Sequence, residues 1–359
     1  VAYFIDQQDQ STNLLNKNTG MSDIGISAMS ISPDQELLAI GYENGNLDIL
    51  EGNRITNITD ILAADNITGK KINAFRFEDQ FLWIGTDFGM VKYDLNESVI
   101  VESYQNIGQN GTRIAINDFV ITTDSIHAAS SDGLLAVSLD AETNRQDFNF
   151  WQRQLVGISF TQIASGSSQK LASSGADLFA YHMGQWEFNT ILSSPIQQIH
   201  THENEFYLLT NEALNRFENE VLEEVIQAKA EQSFLSFDIN DEHIFIGTSN
   251  EGLLSYSTAS AQPVQILPSG PAADKNLVNI DSSGHLFWLS QAAISELIPN
   301  ESRWNSESLN IENNGNIIDR PNDFAKSINT VVSSFEDGAY VFEQRSASYE
   351  ELSSFSSNN

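Results

Sequence analysis

Residues Lys71 to Leu95 read KINAFRFEDQFLWIGTDFGMVKYDL, three short apolar runs separated by punctuation. Asn73 to Phe77 and Phe81 to Ile84 run apolar or alternate at strand length, and Glu78-Asp79-Gln80 between them is short enough for a tight connection. Gly85 to Gly89 lets the chain reverse before Met90 to Asp94. The stretch predicts a three-strand meander. The same pattern recurs at Ile24 to Leu50, ending IGYENGNLDIL, and at Ile114 to Leu139, ending HAASSDGLLAVSL. Looser copies read LASSGADLFAYH, FYLLTNEALNRF, IFIGTSNEGLLSY, LFWLSQAAISEL and VVSSFEDGAYVF.

The small residue opening each third strand serves as a ruler: Gly45, Gly89, Gly133, Ala176, Ala213, Gly252, Ala293 and Gly338, at spacings of 44, 44, 43, 37, 39, 41 and 45. A period of this size, built of short strands and not of helix pairs, is that of a propeller. A fourth, outer strand fits between units, for example at Val99 to Tyr104 and at Phe148 to Trp151. The expected fold is therefore all-β, a seven-bladed β-propeller of four-stranded blades. Eight blades is the alternative, because half units at both ends could close a further blade or belong to a neighbouring propeller.

In chain order, Val1 to Asp6 reads as a third blade strand, so the sequence starts mid-blade, with Thr12 to Leu15 as a candidate outer strand. Val1 is not a start methionine, and the chain is expected to be a piece of something longer. A single propeller domain is expected over 1–352, with Asn310 to Asp323 as a Gly/Asn-rich loop and 353–359 as a flexible Ser/Asn tail. Glu218 to Ala230 is ambiguous. Val221, Leu222, Val225 and Ile226 keep a helical spacing, whereas the repeat register puts an outer strand there.

Composition fits this reading. A chain of 359 residues is long for one globular core, but a propeller buries apolar faces between blades and grows by repetition. Phe is abundant at 21 and Pro scarce at 7, as packed sheets require. No apolar run is long enough to cross a membrane as a helix. With 49 acidic against 17 basic residues the formal charge is −32, which disfavours nucleic acid and anionic surfaces as direct partners, since phosphate contacts need clustered Lys and Arg. Cysteine is absent, so disulfides and thiolate sites are excluded.

Met21 to Ile61, continuing through NITGKKINAFRF and IGTDFGMVKYDL to YQNIGQNG, resembles the N-terminal propeller of the PorZ family of type IX secretion. Gly270 to Trp304 and Ser333 to Glu343 resemble its later blades, while residues 150 to 265 match as generic blades. The resemblance implies a non-enzymatic scaffold exported to the cell surface or periplasm and associated with the outer membrane of a Gram-negative bacterium. Its implied partners are other secretion-complex proteins, with lipopolysaccharide as a further one. Family members carry a second propeller and a sandwich domain, whose roles are not transferred to these residues. A weaker likeness to the propellers of two-component regulators gives the alternative, a ligand-sensing periplasmic propeller. A carbohydrate-active enzyme is a more distant reading.

Catalytic signals are sparse. Asp87-Phe88-Gly89 spells a kinase magnesium-binding tripeptide, yet no Gly-rich loop, strand lysine or catalytic loop accompanies it. His200 and His202 would share one side of a strand, but no carboxylate or third His stands at a suggestive spacing, so they read as polar residues beside a turn. His127, His182, His243 and His285 form no recurrent set. Neither a cofactor nor a metal is expected. Trp151, Trp186 and Trp304 fall on or near outer strands and read as inter-blade packing.

One polar pattern recurs. The turns between second and third strands carry Glu43 and Asn44, Asp87, Asp132, Asp177, Asn211 and Glu212, Asn250 and Glu251, and Glu336 and Asp337. In a propeller they would ring one mouth of the central channel, together with the connections Ala63 to Lys70 and Asn106 to Arg113. Tight hairpins demand Asn, Asp and Gly whatever the function, so turn chemistry alone is the favoured explanation of the pattern, with a partner-binding face as the other.

Overall fold

The computed structural model describes residues 2–5, 12–17, 20–65, 67–167, 169–218, 220–249, 251–257 and 263–266, and beyond these the strands from Leu277 to Ser356. Strands β1 (Ala2–Ile5) and β2 (Thr12–Leu15) form a two-stranded sheet. Six separate four-stranded sheets follow, each with its strands in chain order.

The first holds β3 (Ile26–Ile31), β4 (Leu37–Tyr42), β5 (Leu47–Glu51) and β6 (Arg54–Ile58), and is followed by a helical turn α1 (Asp60–Ala63). The second holds β7 (Ile72–Glu78), β8 (Phe81–Thr86), β9 (Gly89–Asp94) and β10 (Val99–Tyr104). In the third are β11 (Ile116–Ile121), β12 (Ser125–Ser130), β13 (Gly133–Ser138) and β14 (Gln152–Gln154). The fourth contains β15 (Gln162–Ser165), β16 (Lys170–Ser174), β17 (Asp177–His182) and β18 (Gln185–Ile191). The fifth contains β19 (Ile196–His202), β20 (Glu205–Thr210), β21 (Ala213–Glu218) and β22 (Val221–Gln227). The sixth contains β23 (Phe234–Ile239), β24 (His243–Thr248), β25 (Leu253–Ser257) and β26 (Val264–Ile266).

A seventh, eight-stranded sheet joins two meanders. These are β27 (Leu277–Ile280), β28 (Leu286–Leu289), β29 (Ala293–Ile298) and β30 (Arg303–Asn310), then β31 (Asp323–Lys326), β32 (Thr330–Phe335), β33 (Gly338–Arg345) and β34 (Ser348–Ser356). The join is a parallel pairing of Ser308 to Asn310 with Ser348 to Glu350. Seven sheets of four or more strands agree with the seven-bladed reading. By contacts the chain forms two compact units, whose main bodies are Leu15–Ser249 and Val264–Asn359.

One ambiguity is resolved and two expectations change. Glu218 to Ala230 is not helical: Val221–Gln227 is strand β22, paired along β21 from Ala213↔Gln227 to Glu218↔Val221, so sheet pairing overrides a helical spacing of apolar residues. Phe148–Phe150 is a 3-10 turn, and the outer strand of the third sheet lies just after it at Gln152–Gln154, because Asp147 caps the turn through the Asn149 N–H. Ser353 to Ser356 are not tail but the end of β34, opposite Val341 to Gly338. Residues 357–359 and the expected loop at 311–322 lie outside the described residues.

Second strands such as Phe81–Thr86 are buried almost throughout, as a strand with blades packed on both faces must be. The cores lie between sheets. Ile72, Phe75, Leu82 and Ile84 of the second sheet meet Ala39, Leu47 and Ile49 of the first. Trp83 and Tyr104 of the second join Phe119, Leu135 and Trp151 of the third, with Tyr104 stacked on Trp83 at 6.1 Å and meeting Trp151 edge-on at 6.3 Å. Trp186 packs in the next core with Phe160 and Phe179. The side chain of Trp304 lies outside the described residues.

Candidate functional site

Three second-to-third-strand turns, those of the second, third and fifth sheets, are closed by a hydroxyl. Thr86 Oγ1 donates to the Gly89 carbonyl at 3.0 Å and accepts from the Phe88 N–H at 3.2 Å. Ser130 Oγ donates to the Gly133 carbonyl at 2.7 Å and accepts from the Asp132 N–H at 3.2 Å. Thr210 Oγ1 donates to the Ala213 carbonyl at 3.1 Å and accepts from the Glu212 N–H at 3.3 Å. In the first sheet an amide substitutes, with Asn44 Oδ1 accepting from the Asn46 N–H at 3.0 Å. Sequence reading marked the acids and passed over the Ser or Thr one or two places before them, which was the stronger signal of a built turn.

The ruler glycines are small for a reason. Gly89 has φ +132°, and a Cβ there would stand 2.0 Å from the Tyr104 carbonyl oxygen; at Gly133, φ +100°, the distance to the Gln154 oxygen would be 2.7 Å. Chain leaving the outer strand thus passes directly over the turn. The Gly133 N–H donates to the Ile158 carbonyl at 2.7 Å, and the Ala228 N–H to the Glu212 carbonyl at 2.8 Å. Of the connections expected on this face, Lys70 lies against Gly45, Gly69 against Asp87, and Gln105, next to Asn106, against Gly89.

The turn acids are placed as follows. Glu43, Asn44 and Glu212 are exposed, whereas Asp87, Asp132, Asp177 and Glu251 are half-buried. Asn44 Nδ2 donates to Asp23 at 2.6 Å, and Asp87 Oδ1 accepts from Asn73 Nδ2 at 2.9 Å. Asp132 Oδ1 accepts from the Gly157 N–H at 2.7 Å, and Glu212 from Ser193 Oγ at 3.1 Å. Asp87, Asp132 and Glu212 therefore fasten neighbouring chain while keeping a second oxygen. Glu336, Asp337 and Asn250 lie outside the described residues.

Successive blades of the Leu15–Ser249 unit are joined at the innermost strands by a recurrent stitch. Each of β3, β7, β11, β19 and β23 has a register break after its first residue. The extra residue donates to a main-chain carbonyl that opens, or lies just before, the first strand of the next blade: Ser27 Oγ to Ile72 at 2.7 Å, Asn73 Nδ2 to Ile116 at 3.1 Å and Asn117 Nδ2 to Phe160 at 2.7 Å. The Gln197 amide, turned to satisfy its surroundings, donates to Phe234 at 3.0 Å. One charged link accompanies these. Arg76 Nη2 lies 2.7 Å from Asp118 Oδ1, and Asp118 also accepts from the Phe119 and Ile163 N–H groups at 2.9 and 3.0 Å. Burial pushes the Asp118 carboxyl above the usual range, against the pull of Arg76.

The tripeptide Asp87-Phe88-Gly89 is part of the fold, with Phe88 buried in the core between the first and second sheets. His200 is half-buried and meets Phe237 edge-on, and burial holds its imidazole below the usual value. His202, two residues on, instead faces Asp241 at 3.4 Å. Asp124, Ser125, His127, Lys170 and Tyr181 line a cavity of about 470 Å³. Ser125 Oγ and His127 Nε2 are 3.1 Å apart, but Asp124 accepts from Ser125 Oγ at 2.9 Å and does not orient the imidazole, whose Nδ1 has no partner. The wiring of a nucleophilic triad is thus not made here. Among the described residues, no helix is long and apolar enough to cross a membrane.

Residues 1–152 match the family model described as TSS9, PorZ, N-terminal beta-propeller domain. Of solved structures, the chain is similar to PorZ, an essential surface component of the type-IX secretion system of Porphyromonas gingivalis from the human oral microbiome, with 17% identity and a TM-score of 0.62. The likeness covers 99% of this chain and 50% of that one, so the chain spans about half the length of that relative. Hsv2 of Kluyveromyces lactis aligns at 9% identity over 79% of this chain and 97% of its own, with a TM-score of 0.48. No curated protein sequence matches the chain.

Proposed function

Starting from the match of residues 1–152 to the PorZ propeller family, we propose that this chain is the non-enzymatic scaffold propeller of a type IX secretion complex at the outer surface of a Gram-negative bacterium. In this reading residues 1–352 serve as one propeller domain. The partner is another protein of the complex, gripped by the face that bears Glu43, Asn44, Asp87, Asp132, Asp177, Glu212, Glu251 and Asp337.

The single observation carrying the site is the clasped turn. Several short acidic segments are held rigid by hydroxyl closures and overlying chain, so each presents a carboxylate at a defined place with little ordering cost left for binding. A charge of −32 selects a cationic partner patch.

The test replaces Glu43→Gln, Asp87→Asn and Asp132→Asn together, changes that keep turn-compatible residues. Capture of the secretion-complex proteins should weaken by about tenfold at low salt, as expected for several exposed charges worth up to about 1 kcal/mol each, and the difference should shrink at high salt. Unchanged capture by the folded triple variant rejects this face. Capture that is lost only when lipopolysaccharide is removed would make the glycolipid, bridged by divalent cations, the occupant.

A further inference from the structure

On the opposite ends of the innermost strands, the turns of the fifth and sixth blades bring together three side chains that the sequence keeps apart. His202 closes β19, Glu203 follows it, and Asp241 sits in the turn between β23 and β24. Their ligand atoms, one from each residue, all lie within 4.8 Å of one another. We propose that His202, Glu203 and Asp241 bind a divalent transition-metal ion of the zinc type, joining the two blades at this rim.

The geometry carries the assignment. Two ligands held about 2.1 Å from one ion at a tetrahedral angle stand about 3.4 Å apart. His202 Nε2 and Asp241 Oδ1 are 3.4 Å apart as they stand. One imidazole nitrogen with two carboxylate oxygens is a donor set for zinc, cobalt or manganese, whereas calcium takes six to eight oxygens. Three protein ligands also leave a coordination position open to water or to a group from a partner.

A second, independent feature sets the two turns in place. Gln198 and Phe237 make a reciprocal bridge, Nε2 to the Phe237 carbonyl at 2.9 Å and the Phe237 N–H to Oε1 at 3.0 Å. His202 and Asp241 each lie four residues beyond a member of that bridge. The bridge therefore fixes the register of β19 against β23, and the two ligands arrive side by side without reorganisation. Asp241 holds in the β23–β24 turn the place that Glu203 holds in the β19–β20 turn, so equivalent turns of successive blades supply the ligands. Among the described residues Asp241 pairs with His202, and neither it nor Glu203 pairs with a Lys or Arg.

The experiment uses the full protein, without a histidine tag and stripped of metal by a chelator. Titration with Zn²⁺ by calorimetry, and with Co²⁺ by its visible absorption, should show one ion per chain at this site. Calcium should not compete. Asp241→Asn, which alters an exposed side chain, should weaken Zn²⁺ binding by about tenfold or more, a loss that even outer-shell partners of a metal ligand can produce. His202→Ala should abolish it, and His182→Ala should leave it unchanged. No stoichiometric binding, or binding unaltered in both Asp241→Asn and Glu203→Gln, overturns the assignment. If His202→Ala does not fold, those two carboxamide variants decide the matter.

Discussion

The side-chain amide of Asn117 donates to the main-chain carbonyl of Phe160 at 2.7 Å, across the boundary between the third and fourth blades. The relationship is not local, since 43 residues separate the two, but it is repeated by Ser27 with Ile72 and Asn73 with Ile116. A register break leaves Ser27, Asn73 and Asn117, each the second residue of its innermost strand, out of the ladder, and each side chain supplies a donor to a carbonyl next door. Asn117→Ala should remove that donor and leave the Phe160 carbonyl without it, at about 1–3 kcal/mol. Chemical denaturation should show the loss as a lower midpoint with an unchanged slope. An unaltered midpoint would mean that water satisfies the carbonyl and that the stitch is incidental.

Arg76 makes the charged counterpart of this link. Asp118 is almost wholly buried, while the Arg76 side chain is 39% exposed, so the guanidinium is the partly solvated member. Arg76→Met should leave Asp118 as an uncompensated buried carboxylate, and the cost should be about 3 kcal/mol, the low end for breaking a buried pair. Adding Asp118→Asn to that variant should restore part of the loss, because the amide carries no charge to bury. A double variant no more stable than Arg76→Met would show that packing over Phe119, where the guanidinium lies 5.5 Å from the ring centre, matters more than the charge.

His127 should make the protein acid-sensitive. Burial, with help from the Lys170 charge and against that of Asp124, lowers its pKa from 6.5 to about 4. Between those values the unfolded chain binds the proton and the folded one does not, so stability falls as pH falls from about 6.5 to about 4 and the loss is complete below that. Across that range the loss amounts to up to about 3 kcal/mol. Thermal melts of His127→Gln across this range should have a flatter pH profile than the parent. A parent profile with no slope between pH 6.5 and 4 that is attributable to His127 would refute the effect.

How legible each part was follows from where its side chains point. Second and third strands are buried on both faces, so FLWIGT and GMVKYD announced themselves as apolar runs, and Gly89 and Gly133 marked the turns because overlying carbonyls leave no room for a Cβ. Outer strands face solvent on one side, and β22, exposed along nearly all its length, carried a pattern that a helix could equally claim. Spacing within one turn could not reveal the convergence of His202 with Asp241, because it depends on two turns of successive blades lying side by side. The stitches were hidden for the same reason. Ser27, Asn73, Asn117 and Gln197 are ordinary polar residues until the register breaks place them opposite the next blade.

The turn glycines allow the sharpest test of the repeat itself. Gly89 lies in the left-handed region at φ +132°, and an added Cβ would fall 2.0 Å from the carbonyl oxygen of Tyr104, where neither main-chain segment can yield easily. Tyr104 is fully buried between Trp83 and Trp151, so its carbonyl is held by the inter-blade core. Gly89→Ala should therefore destabilise by about 3 kcal/mol or more, combining backbone strain with displacement of a packed aromatic. By contrast Gly52, with φ +55° and open space around its Cβ position, should tolerate the same change with a loss of about 1 kcal/mol. Near-ultraviolet circular dichroism adds a specific readout, because moving Tyr104 off Trp83 alters the aromatic signal of Gly89→Ala and leaves that of Gly52→Ala as it was. Equal stability of the two variants would mean that the outer strand does not press on its turn, and the explanation given for the ruler residues would be wrong.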